Sequence, residues 1–230
     1  MRLIAHRGRV APDPENAVES IEGALTACVG VEIDVRIAAD GVPVLHHDAG
    51  LLRVFGRPER IAALASEDLA AVRSSERQAA IPTLAAYLEA LAPHRPGKVV
   101  LDLKEERAEA VAAVGAVLRD SALADVIVLA VRRASGLRSV RAELPGAALG
   151  WLGTTRANVA ERCRRAPALG VGTLFVRHGD EAYLEERAAV ATILEAGLVA
   201  GASVLSGEES IAMADHDGCG IALVSLPRAR

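Results

Sequence analysis

Aromatic residues are scarce in this chain: one Trp, two Tyr and two Phe among 230 residues. Its core must therefore be mostly Ala, Val, Leu and Ile, and a hydrophobic content of 51% is enough for an extensive one. Cysteine is nearly absent too. Cys28, Cys163 and Cys219 are an odd number with no close spacing, which excludes a zinc motif and indicates free thiols in a reducing compartment. There is no excess of positive charge: the net charge is −4 and the basic residues are scattered, which argues against nucleic acid as the main partner. No uninterrupted apolar run reaches the roughly 18 residues of a membrane helix. The first strand is expected from about Arg2, leaving no room for a signal peptide ahead of it, so the expected location is cytoplasmic. Lysine is the last scarcity. Only Lys98 and Lys104 stand among 26 basic residues, so a lysine that survives such a bias is expected to be needed as a lysine.

What is present is organised around residues 30–48, GVEIDVRIAADGVPVLHHD. Val31, Ile33, Val35 and Ile37 alternate with Glu32, Asp34 and Arg36, the period-2 pattern of a strand with two different faces. Asp40-Gly41 predicts a hairpin turn, because Gly accepts a positive φ. The chain then returns through Val42 to Leu45 and delivers His46, His47 and Asp48, with His47 near the level of Asp34. Two carboxylates on one strand face imply something cationic to neutralise them.

The rest of the chain alternates strand and helix. Strands are predicted at 2–5, 98–104, 126–131, 147–152, 173–177, 198–204 and 220–224, in addition to the hairpin. Helices are predicted at 17–28, 82–91, 108–119, 135–143, 158–164, 181–196 and 208–214. Residues 51–80 are more polar, with one helix predicted at 67–73. Eight strands, nearly all followed by a helix, predict a single-domain α/β (β/α)8 TIM barrel over residues 1–230, with a hairpin excursion after strand two. A doubly wound open sheet is the alternative. It lacks its Gly-rich phosphate loop, since His6-Arg7-Gly8 follows the first strand.

In a parallel barrel the chemistry lies at the C-terminal strand ends. The first strand brings His6 and Arg7, the second Glu32 and Asp34 with His47 on the returning arm, and the third Asp102 and Lys104. Three converging carboxylates suit a hard divalent cation such as Mg²⁺ or Ca²⁺. Arg7 and Lys104 suit a phosphate anion. His6 and His47 can act as general acid and general base. Together these groups describe phosphoryl chemistry on a small-molecule phosphodiester.

The ordered motifs IAHRG, PEN, EID, DGVPVLHHD, IPTL and LDLK resemble the glycerophosphodiester phosphodiesterase family through about the first half of the chain. The resemblance implies a (β/α)8 barrel that uses a divalent metal to hydrolyse glycerophosphodiesters to glycerol 3-phosphate and an alcohol. It implies His6 and His47 as the acid/base pair, Glu32, Asp34 and Asp102 as metal ligands, and Arg7 and Lys104 as phosphate-binding residues.

Two departures stand out. The family usually has Glu at the position of Asp102, whereas the related spider-venom sphingomyelinase D branch has Asp. Ala202-Ser203-Val204-Leu205 stands where the family often carries a Trp-Thr-Val-Asn-like run, and the change bears on substrate identity. Cleavage through a cyclic phosphate, a non-catalytic phosphodiester-binding relative and a metal-dependent enzyme acting on carbonyl compounds remain alternatives. Among the neighbours, His46 is expected to pack in the hairpin. Glu15 and Asn16 are expected to cap a helix start and support the site. Arg177 and His178 are expected as solvated strand-end residues, with substrate contact the alternative, and Asp215-His216-Asp217 in a polar turn.

Overall fold

Each strand predicted above is present, and eight of the strands close into one parallel ring. The structure is a computed structural model and describes residues 1–74, 78–176 and 179–227. The strands are β1 (Arg2–Ala5), β2 (Gly30–Ile37), β3 (Pro43–Leu45), β4 (Lys98–Leu103), β5 (Ile127–Val131), β6 (Ala148–Thr154), β7 (Val171–Val176), β8 (Val199–Leu205) and β9 (Ile221–Val224). Around the ring the order is β1, β2, β4, β5, β6, β7, β8, β9 and back to β1. All these pairings are parallel. Strand β3 is antiparallel to β2 and lies outside the ring, with Val35 opposite Leu45. This is the expected TIM barrel with its hairpin excursion.

Alternation along the strands sorts the side chains into two cores. Ile4, Val100, Ala130, Leu152, Phe175, Ile221 and Leu223 fill the inside of the ring. Val31, Ile33, Val35, Leu101 and Leu129 face outward into the helix layer. With so few rings available, one Phe plugs the barrel, and two glycines make room for it. A Cβ at Gly201 would lie 2.5 Å from the Phe175 ring, and one at Gly150 would lie 2.8 Å from it.

The helices differ from expectation where tertiary contacts compete. The helix at Ala108–Arg119 has the expected bounds. The first expected helix is shorter, Ile21–Ala27 after a 3₁₀ turn, because Asn16 is committed to Asp34 and caps nothing. The one expected at 158–164 runs from Val159 to Leu169 through Pro167 and stops at Gly170, which adopts φ +67°. The long helix expected at 181–196 is two, Asp180–Glu186 and Ala188–Glu195. Arg187 lies between them with its side chain drawn to Asp217. The polar stretch 51–80 is less loose than its composition indicates. Ala38, Val44, Leu51, Ile61, Leu69, Val72 and Ile81 form a separate apolar cluster under the hairpin. Among the described residues no helix is long and apolar enough to cross a membrane.

Candidate active site at the C-terminal mouth

Parallel register levels the C-terminal ends of β2 and β4: Asp34 is opposite Asp102, two residues beyond Glu32 opposite Val100. Glu32, Asp34 and Asp102 therefore point inward together, each offering an oxygen within 4.8 Å of the others, and all three are buried. Burial, followed by the charges of Asp34 and Asp102, pushes the Glu32 carboxyl well above the usual carboxylate range. Burial would also raise Asp34, but Lys104 and the Asn16 amide outweigh it and hold that carboxyl below its ordinary value.

Lys104 stands in the middle of the cluster, with Nζ 2.7 Å from Asp34 Oδ1 and 2.6 Å from Asp102 Oδ2. Burial disfavours its charge, yet the two carboxylates carry its pKa above the ordinary lysine value. One monovalent cation still leaves the set short of positive charge. Among the described residues Asp102 Oδ1 is buried without a hydrogen-bond partner, and Glu32 is driven toward its neutral form. An all-oxygen donor set with an orphaned carboxylate oxygen fits a hard divalent cation, and Glu32, Asp34 and Asp102 would hold it.

The single turn at His6–Gly8 sets the β1 side of the site. Arg7 adopts φ 56°, ψ 29°, a left-handed conformation costing about 1–2 kcal/mol for a side-chain-bearing residue. The strain aims the Arg7 backbone N–H at Glu32 Oε2, 2.9 Å away. Gly8 follows at φ +62°, where a Cβ would lie 2.5 Å from the Tyr87 hydroxyl. His6 Nδ1 meets Ser225 Oγ at 3.0 Å, and its Nε2 is 3.9 Å from Glu32 Oε2. The Arg7 guanidinium donates to Glu15 Oε2 at 2.8 Å and lies 3.8 Å from Asp34. It does not line the cavity that the other six expected site residues share.

The hairpin delivers the second histidine in the expected register. His46 is 2% exposed, with Nε2 3.1 Å from the Gly50 carbonyl and its ring against Phe55. His47 faces the cavity instead. Its Nδ1 lies 2.7 Å from Asp48 Oδ1. Burial would raise Asp48, but bonds to His47 and Arg53 bring it down to about 2, so the carboxylate accepts and the proton sits on Nδ1. The His47 carbonyl accepts from Arg36 Nε and Nη2 at 3.0 and 2.8 Å, and Arg36 is steadied by Glu105 at 2.7 Å.

Asn16 and Glu15 are supports for the site, as expected, although neither caps a helix. The Asn16 amide donates to Asp34 Oδ2 at 2.8 Å, and its oxygen accepts from the Asp34 backbone N–H at 2.9 Å. Glu15 bridges Arg7 and Arg53, and Arg53 continues to Asp48 at 2.5 Å, so an ion chain runs from the β1 turn to His47. Asp215 and His216 end the helix at Glu208–His216 rather than forming a turn. Asp215 pairs with the Met1 amino group and Asp217 with Arg187, so neither belongs to the site. Arg177 and His178 lie outside the described residues.

Sequence reasoning missed Ser225, Arg53 and Arg132, and gave Asp48 no role. Arg132 lines the cavity and reaches Asp102 Oδ2 at 3.1 Å. Its signal was the parity of Val128, Ala130 and Arg132 along and just past β5. Ser225 could not be found this way, because it lies 219 residues from the histidine it touches. The opening over the carboxylates is small, about 30 Å³ of free space. A larger cavity, about 670 Å³, lies at the opposite, N-terminal mouth among Arg2, Lys98 and Thr173, but its walls carry no carboxylate or histidine. The carboxylates and histidines line the smaller one.

Residues 6–199 match the sequence model of the Glycerophosphoryl diester phosphodiesterase family. The structure is similar to an Oleispira antarctica phosphodiesterase solved with the product sn-glycerol-3-phosphate, at a TM-score of 0.86 and 24% identity over 97% of this chain and 92% of that one. It is also similar to a Thermotoga maritima glycerophosphodiester phosphodiesterase, at a TM-score of 0.79 and 22% identity over 97% and 94%. At these identities the likeness is one of fold. Glycerophosphodiester phosphodiesterase 1 of Bos taurus is 39% identical over 67 residues, 29% of this chain and 20% of that protein. The aligned part thus spans about a fifth of that relative's length. With the family match extending over most of the chain and ending on the same barrel, the chain belongs to the glycerophosphoryl diester phosphodiesterase family.

Proposed function

We propose that this chain, as one barrel domain over residues 1–230, hydrolyses glycerophosphodiesters to glycerol 3-phosphate and an alcohol. The observation that carries the proposal is the buried triad Glu32, Asp34 and Asp102 sharing one cavity with His6, His47 and Lys104. The product bound to the Oleispira neighbour is the phosphomonoester that such a reaction releases. A divalent ion, Mg²⁺ or Ca²⁺, held by the triad would supply Lewis-acid polarisation of the phosphoryl oxygens.

The protein's own groups have separate tasks. Lys104 stabilises the charge that develops at phosphorus, and Arg7, held by Glu15 outside the cavity wall, would share that task by leaving Glu15. One histidine takes the proton from the attacking oxygen and the other protonates the leaving alcohol. Asp48 keeps the His47 proton on Nδ1, so Nε2 is the atom left to exchange a proton with substrate. Ser225 fixes the His6 ring by its Nδ1. Ser203 and Val204, from the run where the family often carries Trp, line the cavity beside Leu223, and this wall shapes the choice of alcohol. Three free thiols, Cys28, Cys163 and Cys219, fit a cytoplasmic setting.

A panel of glycerophosphodiesters assayed with Mg²⁺, Ca²⁺, Mn²⁺ and chelator tests the reading. Release of phosphomonoester that stops in chelator is expected. A cyclic phosphate product would move the attack from water to a substrate hydroxyl. Binding without turnover under every metal would make the chain a phosphodiester-binding relative and overturn the proposal.

A further inference from the structure

Arg132 follows the last residue of β5, and its backbone is held from two sides. Its N–H donates to Glu106 Oε1 at 2.7 Å, and its carbonyl accepts from Trp151 Nε1 at 3.1 Å. Trp151, the chain's single tryptophan, is 4% exposed, and the Arg162 guanidinium lies 4.5 Å from its ring centroid. A buried indole anchored in the helix layer thus fixes where residue 132 sits. The side chain is left free by comparison: it is 57% exposed and lines the cavity beside Asp102 and Lys104.

Its ion pair with Asp102, the one it makes among the described residues, is weak by construction. Asp102 Oδ2 is shared with Lys104, which is nearer at 2.6 Å against 3.1 Å and far more buried. A half-exposed guanidinium gains little from a carboxylate oxygen that it shares with a closer, buried cation. Arg7 presents the opposite case. It is 17% exposed, bonded to Glu15, and absent from the cavity wall. Among the described residues the planar fork that is both inside the mouth and loosely held is Arg132, and such a fork matches two oxygens of a phosphate.

Resting on the phosphodiester reading above, we propose that Arg132 is an anion-binding residue of this site, its guanidinium leaving Asp102 to grip the non-bridging oxygens of the substrate phosphate, with Trp151 as its positioning residue.

The test uses the full chain loaded with Mg²⁺. Calorimetric titration with sn-glycerol 3-phosphate and inorganic phosphate is set beside kcat and KM on a glycerophosphodiester. Arg132→Ala is expected to weaken binding of both anions about 10- to 100-fold, the usual worth of a charge-assisted bond. Arg132→Lys should recover only part, since a point charge lacks the fork. Trp151→Phe keeps the ring and removes the N–H, and should weaken anion binding less than Arg132→Ala while the fold persists. If Arg132 serves only to neutralise Asp102, Arg132→Ala will alter Mg²⁺ affinity and leave anion affinity and KM unchanged, which overturns the proposal. Turnover by the wild type with an unaltered Arg132→Ala variant overturns it too, while the phosphodiesterase reading stands. A wild type that cleaves nothing, yet binds phosphate through Arg132, leaves this proposal standing and removes the other. A wild type that binds neither anion removes it outright.

Discussion

Replacing Lys104 by Met probes the centre of the site. The substitution keeps most of the side chain's length and removes its charge. In the native cluster Nζ lies 2.7 Å from Asp34 and 2.6 Å from Asp102, with the lysine side chain 10% exposed and the carboxylates 1% and 7%. Removing one partner of a buried ion pair costs about 3–5 kcal/mol, because the other is left uncompensated. Here the remaining carboxylates are three, and Glu32 is already pushed up by burial and by Asp34 and Asp102. For a chain of this size, at about 2–4 °C per kcal/mol, chelated Lys104→Met should melt roughly 6–20 °C below wild type. Divalent metal should reverse much of the loss. Binding at 100 times Kd contributes about 2.7 kcal/mol, and the variant's cluster has no lysine competing for Asp34 and Asp102. Thermal and urea unfolding in chelator and in millimolar Mg²⁺ measure both effects. A chelated Lys104→Met protein within about 1 kcal/mol of wild type would refute the reasoning, since the lysine would then neutralise nothing that matters. Lys104→Arg asks a further question. The larger planar group cannot take a point-charge position between Asp34 and Asp102, and at least about a tenfold loss of kcat/KM is expected, roughly 1.4 kcal/mol. Near-wild-type activity would mean that any positive charge suffices.

Other expectations are simpler to state. His6→Ala and His47→Ala should each lower kcat by about 10² to 10⁴-fold while melting and metal binding persist. His46→Ala should keep its kcat but lose about 1–3 kcal/mol of stability, because its bond to Gly50 and its contact with Phe55 disappear; a dead His46 variant beside an active His47 one would show the assignment of roles to be reversed. Asp180 ties the β7 end to the β8 end. Burial would raise its carboxyl, but the hydroxyls of Ser206 and Ser210 and the amides of Ser206 and Gly207 take it down to about 2. A carboxyl depressed in the folded state contributes stability above its unfolded value and loses it as pH falls through the folded one. Asp180→Asn should therefore flatten the stability profile between about pH 4 and pH 2, by about 1 kcal/mol after allowing for solvent screening. An unchanged slope in that window would discount these bonds.

The (β/α)8 ring was legible because its strands carry their own periodicity. Val31, Ile33, Val35 and Ile37 alternate with polar residues, and Val99, Val100 and Leu101 make a run buried on both faces, which no packing partner is needed to recognise. Helix ends were less legible, since they depend on what each side chain finds to bond. Asn16 left the first helix for Asp34, and Arg187 divided another by reaching Asp217.

The sequence by itself determined the carboxylates, the two histidines and their alternation, because period-2 parity decides which residues of a strand share a face whatever surrounds them. It also separated His46 from His47 for the same reason. Only the tertiary structure decided which cation goes where. Arg7 turns to Glu15, Lys104 enters the carboxylates and Arg132 arrives from the next strand of the ring. Those choices follow from burial and distance between residues remote in sequence, and the contact of Ser225 with His6 spans 219 positions. Local pattern carries no information at that range, because the contact exists only once the ring has closed.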